Sequence, residues 1–104
     1  MADLQKRLAG PSVGTAAEAT IYTVPAATSA ILRDISVTNT TTTAQTFKMS
    51  IGADAAGTRL FHDESVAPGS TWQWNGFKVL NAAETLRWNG PATLTIAVSG
   101  VEVS

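Results

Sequence analysis

The sequence predicts an all-β fold, an antiparallel β-sandwich of seven or eight short strands with jelly-roll or Ig-like connections, preceded by a short N-terminal helical arm. Apolar and polar side chains alternate with the period of two that a half-buried strand requires, most regularly over 45–51 and 92–99. Clusters of Gly, Pro, Asn, Ser and Thr separate such segments at roughly 8 to 14 residues, a spacing typical of sandwiches and barrels. The connections are too short for the crossovers of about a dozen residues that parallel strands need.

The first 11 residues are predicted to form an arm, followed by a single sandwich domain at 12–104. Leu4 and Leu8 are four residues apart, which places them on one side of a helix, and Gly10-Pro11 would end that helix. Such a helix is far shorter than the roughly 12–15 residues needed for stability in isolation. We therefore expect the arm to dock on its own domain or on a partner, or else to fray.

The strands of the domain follow a loop at 11–17 and are rich in β-branched and aromatic residues. Pro68-Gly69 and Asn75-Gly76 predict tight turns on either side of one short strand. The predicted strands are 19–24, 30–39, 45–51, 59–64, 71–74, 77–80, 85–89 and 92–99, with 101–103 completing the sheet after a kink at Gly100.

One strand contains a charged residue at a position that should be apolar. Within 30–39, Ile31, Ile35 and Val37 are expected to share the buried face. Arg33 falls on the same face by the period of two. We expect its guanidinium to reach past an edge of the sheet or to pair with an acid.

The composition excludes several classes of function. Charged residues make up 14% of the chain, below the usual 25% or so. The net charge is −1, and the sequence contains no cluster of basic residues that could bind nucleic acid. No apolar run is long enough to span a membrane or to act as a signal peptide. Asn39-Thr40-Thr41 matches a glycosylation acceptor, but without a secretory signal we interpret the match as chance.

The residues needed for catalysis or metal binding are scarce. The chain has no cysteine and one histidine, so disulfides, thiol nucleophiles and cysteine-based zinc sites are excluded. His62-Asp63-Glu64 is the one cluster with ligand chemistry, and in a strand it supplies half of a minimal metal site, with His62 and Glu64 on one face. Nucleotide-binding glycine motifs and a nucleophile elbow are missing. The sequence therefore predicts a non-enzymatic protein without a cofactor, metal or catalytic residues.

Three tryptophans leave two interpretations open. Trp72 and Trp74 are two residues apart and share one face of a strand, and Trp88 lies in a later strand. Such rings either fill the core or a subunit contact, or form a flat platform on which a sugar stacks.

Four segments of the chain form a recognisable set: YTVPA (22–26), AILRDISVTNT (30–40), VAPGST (66–71) and GFKVLNAAETL (76–86). Together they resemble small all-β virion proteins of tailed bacteriophages, which include minor tail, neck and capsid-accessory proteins. The resemblance covers about residues 20–103. Members of this group often carry Gly where this chain has Ala83, so we expect a turn here that does not require a positive φ.

The resemblance implies a multicopy structural subunit attached to the capsid, neck or tail, with a decoration or accessory role. It implies partners that are other copies of this chain and other virion proteins (capsid, portal, neck or tail subunits), and a location in the virion after synthesis in the bacterial cytoplasm. The low charge and Thr-rich surface independently favour a subunit of an assembly. The alternative is a receptor- or glycan-binding module that uses the three tryptophans. The residues expected at subunit contacts are Leu4, Lys6, Arg7, Leu8, Trp72 and Trp74.

Overall fold

The strands form two antiparallel sheets that pack face to face, which confirms the all-β sandwich predicted from the alternation. The computed structural model describes residues 3–15, 17–52 and 57–103. The strands are β1 (Asp3–Val13), β2 (Ala19–Thr23), β3 (Ser29–Asn39), β4 (Gln45–Ile51), β5 (Arg59–Val66), β6 (Ser70–Leu80), β7 (Thr85–Asn89) and β8 (Leu94–Val103). Sheet A has the strand order β1-β8-β3-β6, and sheet B has the order β2-β7-β4-β5. Within the described ranges there is no helix long and apolar enough to cross a membrane.

The prediction of an N-terminal helical arm is wrong, because residues 3–13 form the strand β1. It pairs antiparallel with β8, from Asp3 opposite Val103 to Val13 opposite Thr95. The strand runs through residue 11, where the sequence placed the end of the arm. A short helix would have to nucleate at a cost that its few hydrogen bonds do not offset, whereas the edge of β8 offers a ready-made ladder. Pairing also buries Leu8 against the core.

The core lies between the sheets and comes from alternate residues of nearly every strand. In β4, Phe47 and Met49 are buried, and in β8 the buried residues include Ile96 and Val98. These are the positions that the period of two selects. Burial of each such side chain contributes about 1.5–3 kcal/mol to folding.

A β-bulge at Arg33 explains how an arginine is accommodated in this strand. Leu32 and Asp34 pair with adjacent residues of β8, so Arg33 is an extra residue in β3. The bulge reverses the alternation: Ile35 is buried after it, but Leu32 rather than Ile31 is buried before it. The predicted face for Ile31 is therefore wrong, and Arg33 is exposed to solvent.

The tight turn predicted at Asn75-Gly76 is also wrong, because β6 continues through it as one strand. Gly76 and Phe77 lie opposite Arg33 alone, so β6 contains a further extra residue relative to β3. A Cβ atom at residue 76 would lie 2.6 Å from Cζ2 of Trp74. The glycine is therefore required by the packing of the indole ring and not by a chain reversal.

Ala83 adopts the conformation that the sequence was expected to avoid. Its φ is +67°, and the amide of Glu84 donates to the carbonyl of Asn81 at 3.1 Å, which closes a turn of type II. The amide of Ala83 also donates to the carbonyl of Val24 at 3.1 Å. This bond ties the turn to the end of β2 and holds an alanine where glycine would be unstrained.

Replacing Ala83 by glycine should therefore stabilise the protein. We expect Ala83→Gly to raise the free energy of unfolding by about 0.5–1 kcal/mol, because relief of the left-handed strain exceeds the added entropy of the unfolded chain. Ala82 has a negative φ in the same turn, so Ala82→Gly should lower the stability by a similar amount. Urea denaturation of both variants measures the difference, and a destabilised Ala83→Gly protein would contradict the assigned turn.

The inward face of β8 can be tested with a single charge. Ile96 is fully buried, so Ile96→Asp should prevent folding, because an unpaired carboxylate in the core costs several kcal/mol of the roughly 5–15 kcal/mol that stabilise a domain. Thr95 is its neighbour on the outer face, and Thr95→Asp should fold. Circular dichroism and thermal melting distinguish the two. An Ile96→Asp protein that melts at the wild-type temperature would show that the faces are assigned the wrong way round.

Candidate subunit interface

The residues expected at subunit contacts lie on the two outer strands of sheet A. Four of them are in β1 and two are in β6, and β8 and β3 lie between these strands. The structure therefore places them at opposite edges and does not bring them into one patch. Each edge is a separate candidate interface.

At the β1 edge the four residues have different environments. Leu4 is 56% exposed and Arg7 is exposed, so both are accessible to a partner. Leu8 is 8% exposed and packs in the core of its own chain. Lys6 forms an ion pair with Glu102 of β8, with 3.4 Å between Nζ and Oε1.

Glu102 also links the two sheets at this end of the sandwich. The hydroxyl of Tyr22, from β2 of sheet B, donates a hydrogen bond to Oε2 of Glu102. Burial and this hydrogen bond raise the pKa of Tyr22 above its usual value. The same hydrogen bond, aided by the ammonium of Lys6, lowers the pKa of Glu102. A charged carboxylate thus holds the outer strand β2 against sheet A.

At the β6 edge Trp72 and Trp74 are half-buried between the sheets. The ring of Trp72 packs edge-on against Phe47 and Phe61, with centroids 5.0 Å away in each case. Trp74 contacts Phe61 at 6.2 Å. Phe61 lies in β5, the edge strand of sheet B, so these rings fill the side of the sandwich where β5 and β6 face each other. Edge-to-face contacts of this kind add about 0.5–1.5 kcal/mol to the energy of burial.

Trp88 is 1% exposed and packs against Phe47 at a centroid distance of 6.3 Å. Its ring is therefore not on the surface. The flat platform of three exposed indoles that sugar stacking would need is not formed by these residues.

Sequence reasoning missed two exposed apolar residues of β6. Phe77 is 62% exposed and Val79 is 48% exposed. Val79 pairs with Ile31, which in turn pairs with Val101, so an apolar row crosses the outer face of sheet A. The alternation could have revealed both residues: once Trp72 and Trp74 point inward along a continuous strand, positions 77 and 79 point outward. Reading Asn75-Gly76 as a turn concealed this.

A shallow depression lies on sheet A where the bulges occur. Its volume is about 780 Å³, and it opens between Arg33 of β3 and Gly76 of β6. It offers no nucleophile with an adjacent general base, because the titratable groups that line it are cationic. The remaining lining residues are Gln5, Lys6, Asn75, Ser99, Gly100 and Val101.

The acidic cluster around the single histidine forms a surface ion pair. Nζ of Lys48 lies 2.7 Å from Oδ1 of Asp63, and Nε2 of His62 lies 3.6 Å from Oδ2. The bond from Lys48 lowers the pKa of Asp63. Asp63 has a φ of +54°, which marks an irregularity in β5. Among the described residues, no three His, Cys, Asp or Glu side chains are grouped closely enough to hold a metal ion.

The side chain of Asn39 is fully buried and hydrogen-bonded at both ends of its amide. Nδ2 donates to the carbonyls of Thr43 and Val66 at 2.9 and 3.0 Å. Oδ1 accepts from the amide and hydroxyl of Thr41 at 3.0 and 2.7 Å. Asn39 therefore fixes the loop at 40–44, and its amide nitrogen is not available to a glycosyl group in the folded chain.

No protein-family model and no curated protein matches this chain. The function of this chain therefore has to be inferred from its sequence and from the geometry of the β1 and β6 edges of sheet A.

The bond between Tyr22 and Glu102 predicts an acid-sensitive contribution to stability. Because the folded pKa of Glu102 is lowered, this contribution is present above the unfolded pKa of about 4.3 and is lost as the pH falls through the lower folded value. In a double-mutant cycle of Tyr22→Phe and Glu102→Gln, we expect a coupling of about 1 kcal/mol at pH 7. The coupling should weaken progressively as the pH is lowered below about 4.3, as measured by urea denaturation. A coupling that does not change with pH would show that ionisation of Glu102 does not matter to the contact.

Proposed function

We propose that this protein is a non-enzymatic structural subunit of a tailed-bacteriophage virion, present in many copies and attached to the capsid, neck or tail in a decoration or accessory role. The observation that carries the proposal is the β6 edge of sheet A. Phe77 and Val79 are exposed there, on a strand that no described strand covers on its outer side. An edge of this kind is suited to contact with another protein.

The segments that resemble virion proteins lie in strands of both sheets of the sandwich. The first segment begins at the end of β2, and the second covers nearly all of β3. The third runs from the end of β5 into the start of β6, and the fourth runs from the second half of β6 into the start of β7. They include the turn at Pro68-Gly69 and the strained turn at Ala83. The resemblance therefore involves strands of both sheets together with their turns, and it supports a shared type of sandwich whose role is to bind other subunits.

The weakly charged surface supports the same proposal. Thr38, Thr71 and Thr95 form a row on the outer face of sheet A, where the hydroxyls of Thr38 and Thr71 lie 3.0 Å apart. Such a surface loses little hydration energy when a neighbouring subunit covers it, because few charges have to be desolvated. Glycan binding has no comparable support, since Trp88 is buried and the other two indoles pack against phenylalanines.

The proposal is tested on virions from cells that carry the gene. We expect this chain to co-purify with particles through a density gradient and to be present in a fixed ratio to the major capsid protein, as measured by quantitative mass spectrometry. A host cytosolic protein of similar size and abundance measures carry-over. If the chain is depleted from the particles to the same extent as that control, the proposed function is wrong.

A further inference from the structure

The four edge strands of the sandwich differ in how well they are protected against pairing with another chain. Natural sheets protect their edges with proline, bulges, charges or short strands. β1 contains Pro11 and two shifts of register against β8. β2 is only five residues long. β5 has two register shifts against β4 and carries the charged residues Arg59, Asp63 and Glu64.

β6 has none of these features over its first half. Ser70–Asn75 pairs with residues 39–34 of β3 without a shift of register, so its backbone is regular over six residues. This half (STWQWN) contains no proline and no charged side chain, and the single charge of the whole strand is Lys78. Aromatic and β-branched residues such as Trp72, Trp74 and Thr71 favour extended backbone. The outer side of this segment offers a continuous row of hydrogen-bonding groups to another strand.

We infer that two copies of this protein associate through this edge, with residues 70–75 of each copy pairing antiparallel about a two-fold axis at Gln73. A two-fold axis perpendicular to the sheet keeps the inner faces of both copies on the same side, so the numbers of two residues that lie opposite each other add up to an even number. The axis then lies midway between one residue and the same residue of the second copy. Gln73 is the outward-facing residue nearest the middle of the regular segment. The two sheets A then join into one sheet of eight strands.

This register is self-complementary. On the inner face it sets Trp72 opposite Trp74 of the second copy, so the half-exposed indoles cover one another. On the outer face Thr71 lies opposite Asn75 of the second copy. Phe77 falls opposite Gly69 of the second copy, beside the exposed Pro68-Gly69 turn. Two ammonium groups would face each other only if the axis lay at Lys78, which is five residues from Gln73.

The size of the contact indicates a weak dimer. One strand edge and a few side chains from each copy place the interface at the small end of specific interfaces, below about 1,200 Å². We therefore expect a monomer–dimer equilibrium that depends on concentration, which sedimentation velocity measures. This association is a property of the isolated chain and does not rest on the proposed function.

Disulfide trapping tests the partner and the register together. The chain has no cysteine, so a single introduced cysteine reports only on its own surroundings. Gln73→Cys should give covalent dimers under mild oxidation, because residues at the two-fold axis lie within the roughly 4.4–6.8 Å between Cα atoms that a disulfide spans. Thr71→Cys is the matched control. In the proposed dimer its two copies would be about 13 Å apart, four residues along the paired strands, and should form no disulfide under the same conditions.

A mixture of Thr71→Cys and Asn75→Cys should cross-link to each other, since these positions are opposite in the proposed register. Ser36→Cys, one strand further in on the same row, should not cross-link and controls for random collision. Thermal melting of each reduced variant verifies that it is folded. A chain that stays monomeric at all concentrations, or a Gln73→Cys variant that cross-links no faster than Ser36→Cys, would overturn the inference. Neither result would affect the test on virions.

Discussion

Burial of the inner faces of the two sheets against each other is the constraint on which the rest of this structure depends. At mid-height, Ile96 of β8, Val37 of β3 and Trp72 of β6 lie in one row of sheet A. Phe47 of sheet B packs against Trp72 and against Trp88 of its own sheet. Since a domain of this size has a single small core, each of these side chains contributes a substantial part of the stability. This buried layer determines which side of each strand faces inward. The outer side can therefore be polar, exposed to solvent or interrupted by bulges.

The bulges of sheet A lie side by side in neighbouring strands. Gly100 and Ser99 are adjacent in β8, whereas their partners in β3 are separated by one residue and the next partners, in β6, by two. The sheet therefore widens towards its β6 edge. Bulges bend a strand and increase its twist. This widening turns Arg33 out to solvent, requires glycine at residue 76 beneath Trp74, and produces the depression between them. Arg33 and Gly76, which interrupt the alternation of apolar and polar residues, thus both lie at the same change of register.

The sequence predicts the strands whose alternation is unbroken and fails where a non-local feature interrupts it. β8 follows the period of two along its buried residues, and β4 follows it at Phe47 and Met49, although the adjacent Ser50 is buried as well. In β3 and β6 the bulges shift the phase, and they depend on the neighbouring strand, which local pattern does not reveal. The spacing of Leu4 and Leu8 fits both a helix and a strand, because four residues are about one helical turn and also two strand periods. The sequence places Trp72 in the strand that becomes β6, but it does not reveal that Phe77 and Val79 of the same strand are exposed.

The aromatic layer also supports the pairing that we propose at the β6 edge. An edge strand that frays has to be ordered when a partner arrives, and this entropy cost reduces affinity. Here the indoles of Trp72 and Trp74 are fixed against Phe61 of the opposite sheet, so the backbone between them is held in the extended form. The side chain of Gln73, which points outward, is hydrogen-bonded to Asp34 of β3 at 3.1 Å. The same contacts that complete the core therefore preorganise the edge segment, which links the stability of the single chain to the pairing that we propose for this edge.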